Sequence, residues 1–150
     1  MSKKFKVINN NSFTVGIRLE NPSRDVNIRA NTFVFMNEED ILYTNSVSGL
    51  FERGILTVED EEILHLMGYT EKNPNAIDKD EIAKLLELPN QSFKRRVSQI
   101  NERHAIQKII RYIVENEVDI NLSKAKLIND AFGVDIHEII KQESELKETS

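Results

Sequence analysis

No cysteine occurs among the 150 residues, which excludes disulfides, thiolate metal sites and a cysteine nucleophile. Tryptophan is also absent, and the five glycines are scattered. That scatter leaves no G-x-x-x-x-G-K-[ST] or G-x-G-x-x-G loop to cradle a phosphate, and no G-x-S-x-G elbow for a serine nucleophile. No apolar stretch approaches a membrane span. The basic start Met1-Ser2-Lys3-Lys4 is not followed by the apolar run of about seven residues that a secretory leader needs. The expectation is a protein made and kept in the cytoplasm, leaving it only by lysis. An excess of positive charge is missing too. Twenty basic residues stand against 25 acidic ones, for a net charge of −5 and a pI near 5.3. Neither half of the chain is basic as a whole, which argues against a general nucleic-acid binder that works by releasing phosphate counterions.

What is present is a change of hydrophobic period near residue 60. Before it, apolar residues alternate, as in Phe13, Val15, Ile17 and Leu19. After it they recur every three or four positions, as in Ile106, Ile109, Ile110 and Ile113. A period of two marks half-buried strands, and one near 3.6 marks amphipathic helices. The fold class expected is α+β: a small antiparallel β module with short helices, followed by a helical bundle. The β-rich module spans 1–68, a linker 69–77 centred on Asn73-Pro74-Asn75, and the helical module 78–145.

Turn clusters at Asn9–Ser12 and Asn21–Ser23 separate short strands, giving one sheet of four or five. Asn37 followed by Glu38-Glu39-Asp40 predicts a helix start, because a capping side chain and acidic first-turn residues complement the helix dipole. In the second half, Asp78, Asn90, Ser123 and Asp135 are the expected caps, Gly133 a stop, and the tail from Leu146 is expected to fray.

Candidate chemistry is sparse. His65, His104 and His137 fall in separate helices, without the i, i+4 spacing of a helical metal site. The run Glu59-Asp60-Glu61-Glu62 lacks calcium-loop spacing and reads as a helix N-terminus. No catalytic, cofactor-binding or metal-binding residue is assigned, and no cofactor is expected.

The sharpest local feature is a basic set at Lys94, Arg95, Arg96, Arg103, Lys108 and Arg111, with Glu102 the single acid between them. Residues 79–103 superficially resemble a helix-turn-helix, although Glu87 stands where such turns commonly carry glycine and Arg96 where a core residue is usual. Three readings stay open for this set: contact with nucleic acid, pairing with an acidic protein surface, or simple solvation. A second feature is the run Phe33-Val34-Phe35-Met36, apolar on both faces of a strand. One face can close the module's own core. The other would be covered either by helices or by a neighbouring subunit, and Val34 and Met36 are the candidate subunit contacts. The lysine-rich strand at Lys3–Lys6 reads as a protected sheet edge, which favours packing through a face over pairing at an edge.

The segment from Val15 to Asp60 resembles small proteins encoded among the structural genes of tailed phages of low-GC Gram-positive bacteria. The resemblance rests on Asn21, Pro22, Arg24, Ile28, Phe33, Met36, Glu39, Asp40 and Ile41, then on Leu50, Phe51, Gly54, Leu56 and Val58. It covers about the first 60 residues, and beyond them only the general layout. It implies a virion or virion-assembly component and supplies no site residues. The functional expectation is a non-enzymatic phage structural or assembly protein of capsid, connector or tail. It would act through contacts with other phage proteins and with itself, in the host cytoplasm during assembly and in the virion, without a membrane partner. The alternative is a DNA-binding regulator using residues 79–103.

Overall fold

A computed structural model describes residues 3–149, with side chains described to residue 146. The chain has the expected α+β composition, with antiparallel strands confined to the first part and helices alone in the second. It divides into two compact units, Met1–Ile77 and Asp78–Ser150.

The first unit holds β1 (Lys4–Asn9), β2 (Val15–Ile17), a 3-10 turn (Pro22–Arg24), β3 (Val26–Ile28), β4 (Thr32–Asn37), α1 (Glu38–Val47), β5 (Thr57–Val58) and α2 (Glu61–Leu66). Two sheets form where one was expected: a three-stranded sheet in the order β4-β1-β5, and a separate β2-β3 hairpin. Phe13, expected to share a face with Val15, Ile17 and Leu19, is exposed, whereas the other three are buried. Its carbonyl accepts a hydrogen bond from Asn9 Nδ2 at 2.8 Å, so the chain turns there and strand geometry begins only at Val15.

β1 and β4 pair antiparallel along their full length, Lys4 opposite Asn37 through Asn9 opposite Thr32. β1 is therefore the middle strand of its sheet, but β5 covers it only at Val7 and Ile8, so the lysine-bearing stretch Lys4–Lys6 is an open edge on that side, as its lysines suggested. The register places Phe5 and Val7 on one face with Met36 and Val34, and this face closes the core with Val15, Ile17, Ile28, Ile41, Phe51, Leu56, Val58 and Ile63.

Two short asparagine clamps fasten loops to this core. Asn9 Oδ1 accepts from the backbone N–H of Asn11 (2.9 Å) and from Asn11 Nδ2 (3.0 Å), while Asn9 Nδ2 donates to the carbonyls of Phe13, Ile28 and Arg29. Asn73 repeats the device two residues ahead of Asn75, accepting from its N–H (2.8 Å) and its Nδ2 (3.2 Å). Asn73 Nδ2 then donates to the carbonyls of Phe51 and Glu52. Both clamps reach the loop before β5, because Asn11 Nδ2 donates to the Ile55 carbonyl at 2.8 Å. This corrects the expected linker. Residues 69–77 belong to the first unit, tied by hydrogen bonds that a free linker would give to water.

Tyr69 is held in the same way. Its hydroxyl donates to Asn45 Oδ1 (3.0 Å), and Asn45 Nδ2 donates to the Met67 carbonyl (3.3 Å). Burial, and secondly the negative charge of Glu52, raise its phenol above the ordinary value of 10.0. The folded state thus keeps a proton that the unfolded chain loses near pH 10. The stability this contributes is fully present below pH 10 and is lost as pH rises through the folded value. Absorbance titration should show a late-ionising tyrosine step that Tyr69→Phe abolishes. A titration unchanged by the substitution would contradict the assignment.

The second unit holds α3 (Lys79–Leu86), α4 (Asn90–Ser98), α5 (Arg103–Glu115), α6 (Leu122–Phe132) and α7 (Ile136–Thr149). Its buried residues follow the helical period: Ile82 and Leu85, Phe93 and Val97, Ala105, Ile109 and Ile113, Ala125 and Ile128, and Ile136. Asp78 makes a full capping box with Glu81. Two expected caps move. Pro89, not Asn90, occupies the N-cap of α4, with no side-chain cap. Asn121, not Ser123, caps α6 by accepting from the Lys124 N–H at 2.8 Å. Gly133 ends α6 in the left-handed conformation, as expected. The tail continues as helix to Thr149, and Ser150 lies outside the described residues.

Candidate functional site

Most of the residues singled out between Val15 and Asp60 do structural work. Asn21 caps the 3-10 turn and Pro22 opens it. The Arg24 guanidinium donates to Asp40 Oδ2 at 2.5 Å, tying that turn to the first turn of α1. Ile28, Met36, Ile41, Phe51, Leu56 and Val58 are core. Phe33, by contrast, is a large apolar side chain left 46% exposed.

Phe33 and its neighbour-but-one Phe35, 60% exposed, form the outer face of β4. The face expected to be available for a subunit, that of Val34 and Met36, is instead turned inward. Met36 is only 4% exposed and Val34 is half-buried against the core. The reason lies in the register. Phe5 and Val7 must be buried, and the residues opposite them on β4 are Met36 and Val34, so the two phenylalanines are left outside. The rings meet edge to face, with centroids 5.6 Å apart and planes at 84°. Lys6, on the same face of β1, places its ammonium 4.0 Å from the Phe33 ring centre. Lys4 lies on this face as well. The site is thus an aromatic pair rimmed by lysine on a rigid sheet. Covering both rings would remove about 200 Å² of apolar surface from water, worth about 5 kcal/mol.

The acidic run is partly engaged. Asp60 caps α2 by accepting from the Ile63 N–H at 3.1 Å, and Lys3 Nζ lies 3.8 Å from Asp60 and 3.6 Å from Glu62. Among the described residues, no group of three or more histidine, aspartate or glutamate side chains is placed to hold a metal ion. His65 lies in the last turn of α2, His104 lies in α5, and His137 in α7 sets Nε2 3.1 Å from the Ile120 carbonyl.

The structure divides the basic set between two helices. On α4, Lys94 and Arg95 are exposed opposite the buried Phe93 and Val97, and Arg96 is half-buried with its guanidinium donating to Gln99 Oε1 at 3.2 Å. On α5, Arg103 and Arg111 line the outward face and Lys108 is half-buried. α4 packs chiefly on α6, and α5 on α3 and α7, so the two groups sit on helices with different principal packing partners. The α3–α4 turn also departs from a helix-turn-helix. Glu87 has a right-handed conformation (φ −88°), where a glycine turn would be left-handed.

Among the described residues, no helix is long and apolar enough to cross a membrane. No protein-family model, curated protein or solved structure matches the chain.

The four-residue apolar run is visible in the sequence, but the face expected to lie open, that of Val34 and Met36, is the one turned to the core. The alternation of β1 carries the missing signal. Phe5 and Val7 alternate with Lys4 and Lys6, so whichever β4 residues sit opposite the lysines must be the exposed ones.

Proposed function

We propose that this chain is a non-enzymatic assembly protein that binds other protein subunits through the outer face of the β4-β1-β5 sheet. The observation that carries the reading is the pair Phe33 and Phe35, held out on a regular strand while the opposite face is fully used by the core. A rigid aromatic pair loses little side-chain entropy on docking, and the lysine rim suits a partner with acidic residues around an apolar centre. The resemblance of Val15–Asp60 to structural-region proteins of tailed phages supports a capsid, connector or tail setting, in the host cytoplasm during assembly and then in the virion. Mass spectrometry of purified particles tests this: the chain should be present at a constant ratio to the major structural proteins. Particles that lack it would remove the virion reading.

A regulator that binds DNA through α3 and α4 is the second reading, favoured by the exposed Lys94 and Arg95 on α4. Neutralising about five phosphates would give a log–log salt slope of about −4 to −5. We expect no retention on duplex DNA even at low salt. Retention with that slope, lost in a Lys94→Ala/Arg95→Ala variant, would favour the regulator instead.

A further inference from the structure

We infer that β4 pairs edge to edge with β4 of a second copy of this chain, forming a two-fold dimer with a continuous six-stranded sheet. This inference rests on the reading that the first unit acts through protein contacts, and it names the first partner as the chain itself.

β4 is six residues long and pairs with β1 along one side only. Among the described residues, no strand occupies its other side. On that side the backbone N–H and C=O groups of β4 therefore meet no strand ladder, although the Thr32 N–H at its start donates to the Arg29 carbonyl at 3.3 Å. The other strand ends are protected in the ways proteins commonly use. β5 is two residues long, and β2 and β3 are three each. The part of β1 that β5 leaves unpaired carries Lys4 and Lys6. By contrast, Thr32-Phe33-Val34-Phe35-Met36-Asn37 contains no charge, proline, glycine or bulge.

The sequence of β4 also suits itself. A two-fold antiparallel pairing must match odd with odd positions to keep the core faces together. Centred on Val34, it sets Thr32 against Met36, Phe33 against Phe35 and Val34 against Val34 of the second copy. No like charges meet, because the strand has none, and each Phe33 gains a cross-strand aromatic partner. Centring on Phe35 would instead oppose Phe33 to Asn37 and leave only one aromatic pair. The Val34-centred dimer gathers four phenylalanines on one outer face. That doubles the apolar patch to about 400 Å², within the range typical of functional surfaces.

The absence of cysteine allows a clean test. The unmodified chain should sediment as a dimer at about 100 µM. Val34→Cys should form a disulfide-linked dimer under mild oxidation at least about tenfold faster than Ser98→Cys, an exposed control on α4. Chains carrying Phe33→Cys should link to chains carrying Phe35→Cys faster than either links to itself. A monomer at that concentration overturns the inference, even if Val34→Cys fails to fold. A dimer in which Val34→Cys links no faster than the control also overturns it. Particle content separates the two proposals: a monomer found in particles removes only the dimer, and a dimer absent from particles removes only the virion reading.

Discussion

Replacing Asn9 with alanine should destabilise the first unit by about 4 kcal/mol, the largest effect expected of any single substitution of a polar residue in this chain. Asn9 is fully buried. Its carboxamide donates to three carbonyls, at 2.8 Å (Phe13), 3.0 Å (Ile28) and 3.2 Å (Arg29), and accepts two hydrogen bonds from Asn11. Alanine removes all five and fills none of the space. The carbonyls around it lose a partner where water cannot easily replace it, and each buried group left unpaired costs about 1–3 kcal/mol. The loss also spreads, because Asn11 relies on Asn9 for its orientation and in turn holds Ile55. Urea denaturation followed by circular dichroism measures it, with Asn10→Ala as a control expected to change stability by only a few tenths of a kcal/mol. An Asn9→Ala variant within about 1 kcal/mol of the parent would show that the clamp is not a principal support of the fold.

Gly54→Ala should cost about 3 kcal/mol, from two causes that a second substitution separates. Gly54 has φ +72°, which any residue with a Cβ adopts at a cost. An added Cβ would also lie 2.8 Å from the Ala76 nitrogen and 2.9 Å from the Asn75 carbonyl carbon. Both are backbone atoms of the clamped segment 73–77 and cannot swing aside as a side chain would. Gly133 provides the comparison. Its φ is +67°, and a Cβ added there would meet nothing within 4 Å. Gly133→Ala should therefore cost about 1 kcal/mol, the conformational part alone. Equal losses at the two sites would mean that segment 73–77 does not press on Gly54.

The helices are legible in the sequence because period and caps agree there. Asn37, Asp60, Asp78 and Asp135 all accept backbone N–H groups at helix starts, and the apolar stripe of α5 buries Ala105, Ile109 and Ile113. Caps are misplaced where two candidates stand close together. Pro89 precedes Asn90, and Asn121 precedes Ser123; in each case the helix begins earlier, because the earlier residue already has the extended backbone that precedes a first turn. The segment 69–77 passes for a linker because Asn73-Pro74-Asn75 has the composition of a turn, and composition does not reveal that Asn73 bonds to Phe51 and Glu52 some twenty residues away.

The candidate site is half legible. Four consecutive apolar residues in a small β unit state that one strand has a spare face. Which face is spare depends on strand order and register, and these are set by long-range pairing. The lysines of β1 are an edge signal in the sequence and do lie on the stretch that β5 leaves unpaired, but β4 covers the other side of β1 and is itself an uncharged edge that the sequence did not mark.

The central claim is that Phe33 and Phe35 form the surface through which the chain joins a larger assembly. It is tested most directly by producing particles in cells that supply either the parent chain or a Phe33→Ser/Phe35→Ser variant, and counting the chain per particle by mass spectrometry. Both side chains are exposed, so the variant should fold with unchanged circular dichroism. The expected result is at least about tenfold less variant than parent in the particle, the consequence of losing the hydrophobic contact of two buried rings. Equal incorporation of a folded variant would contradict the claim.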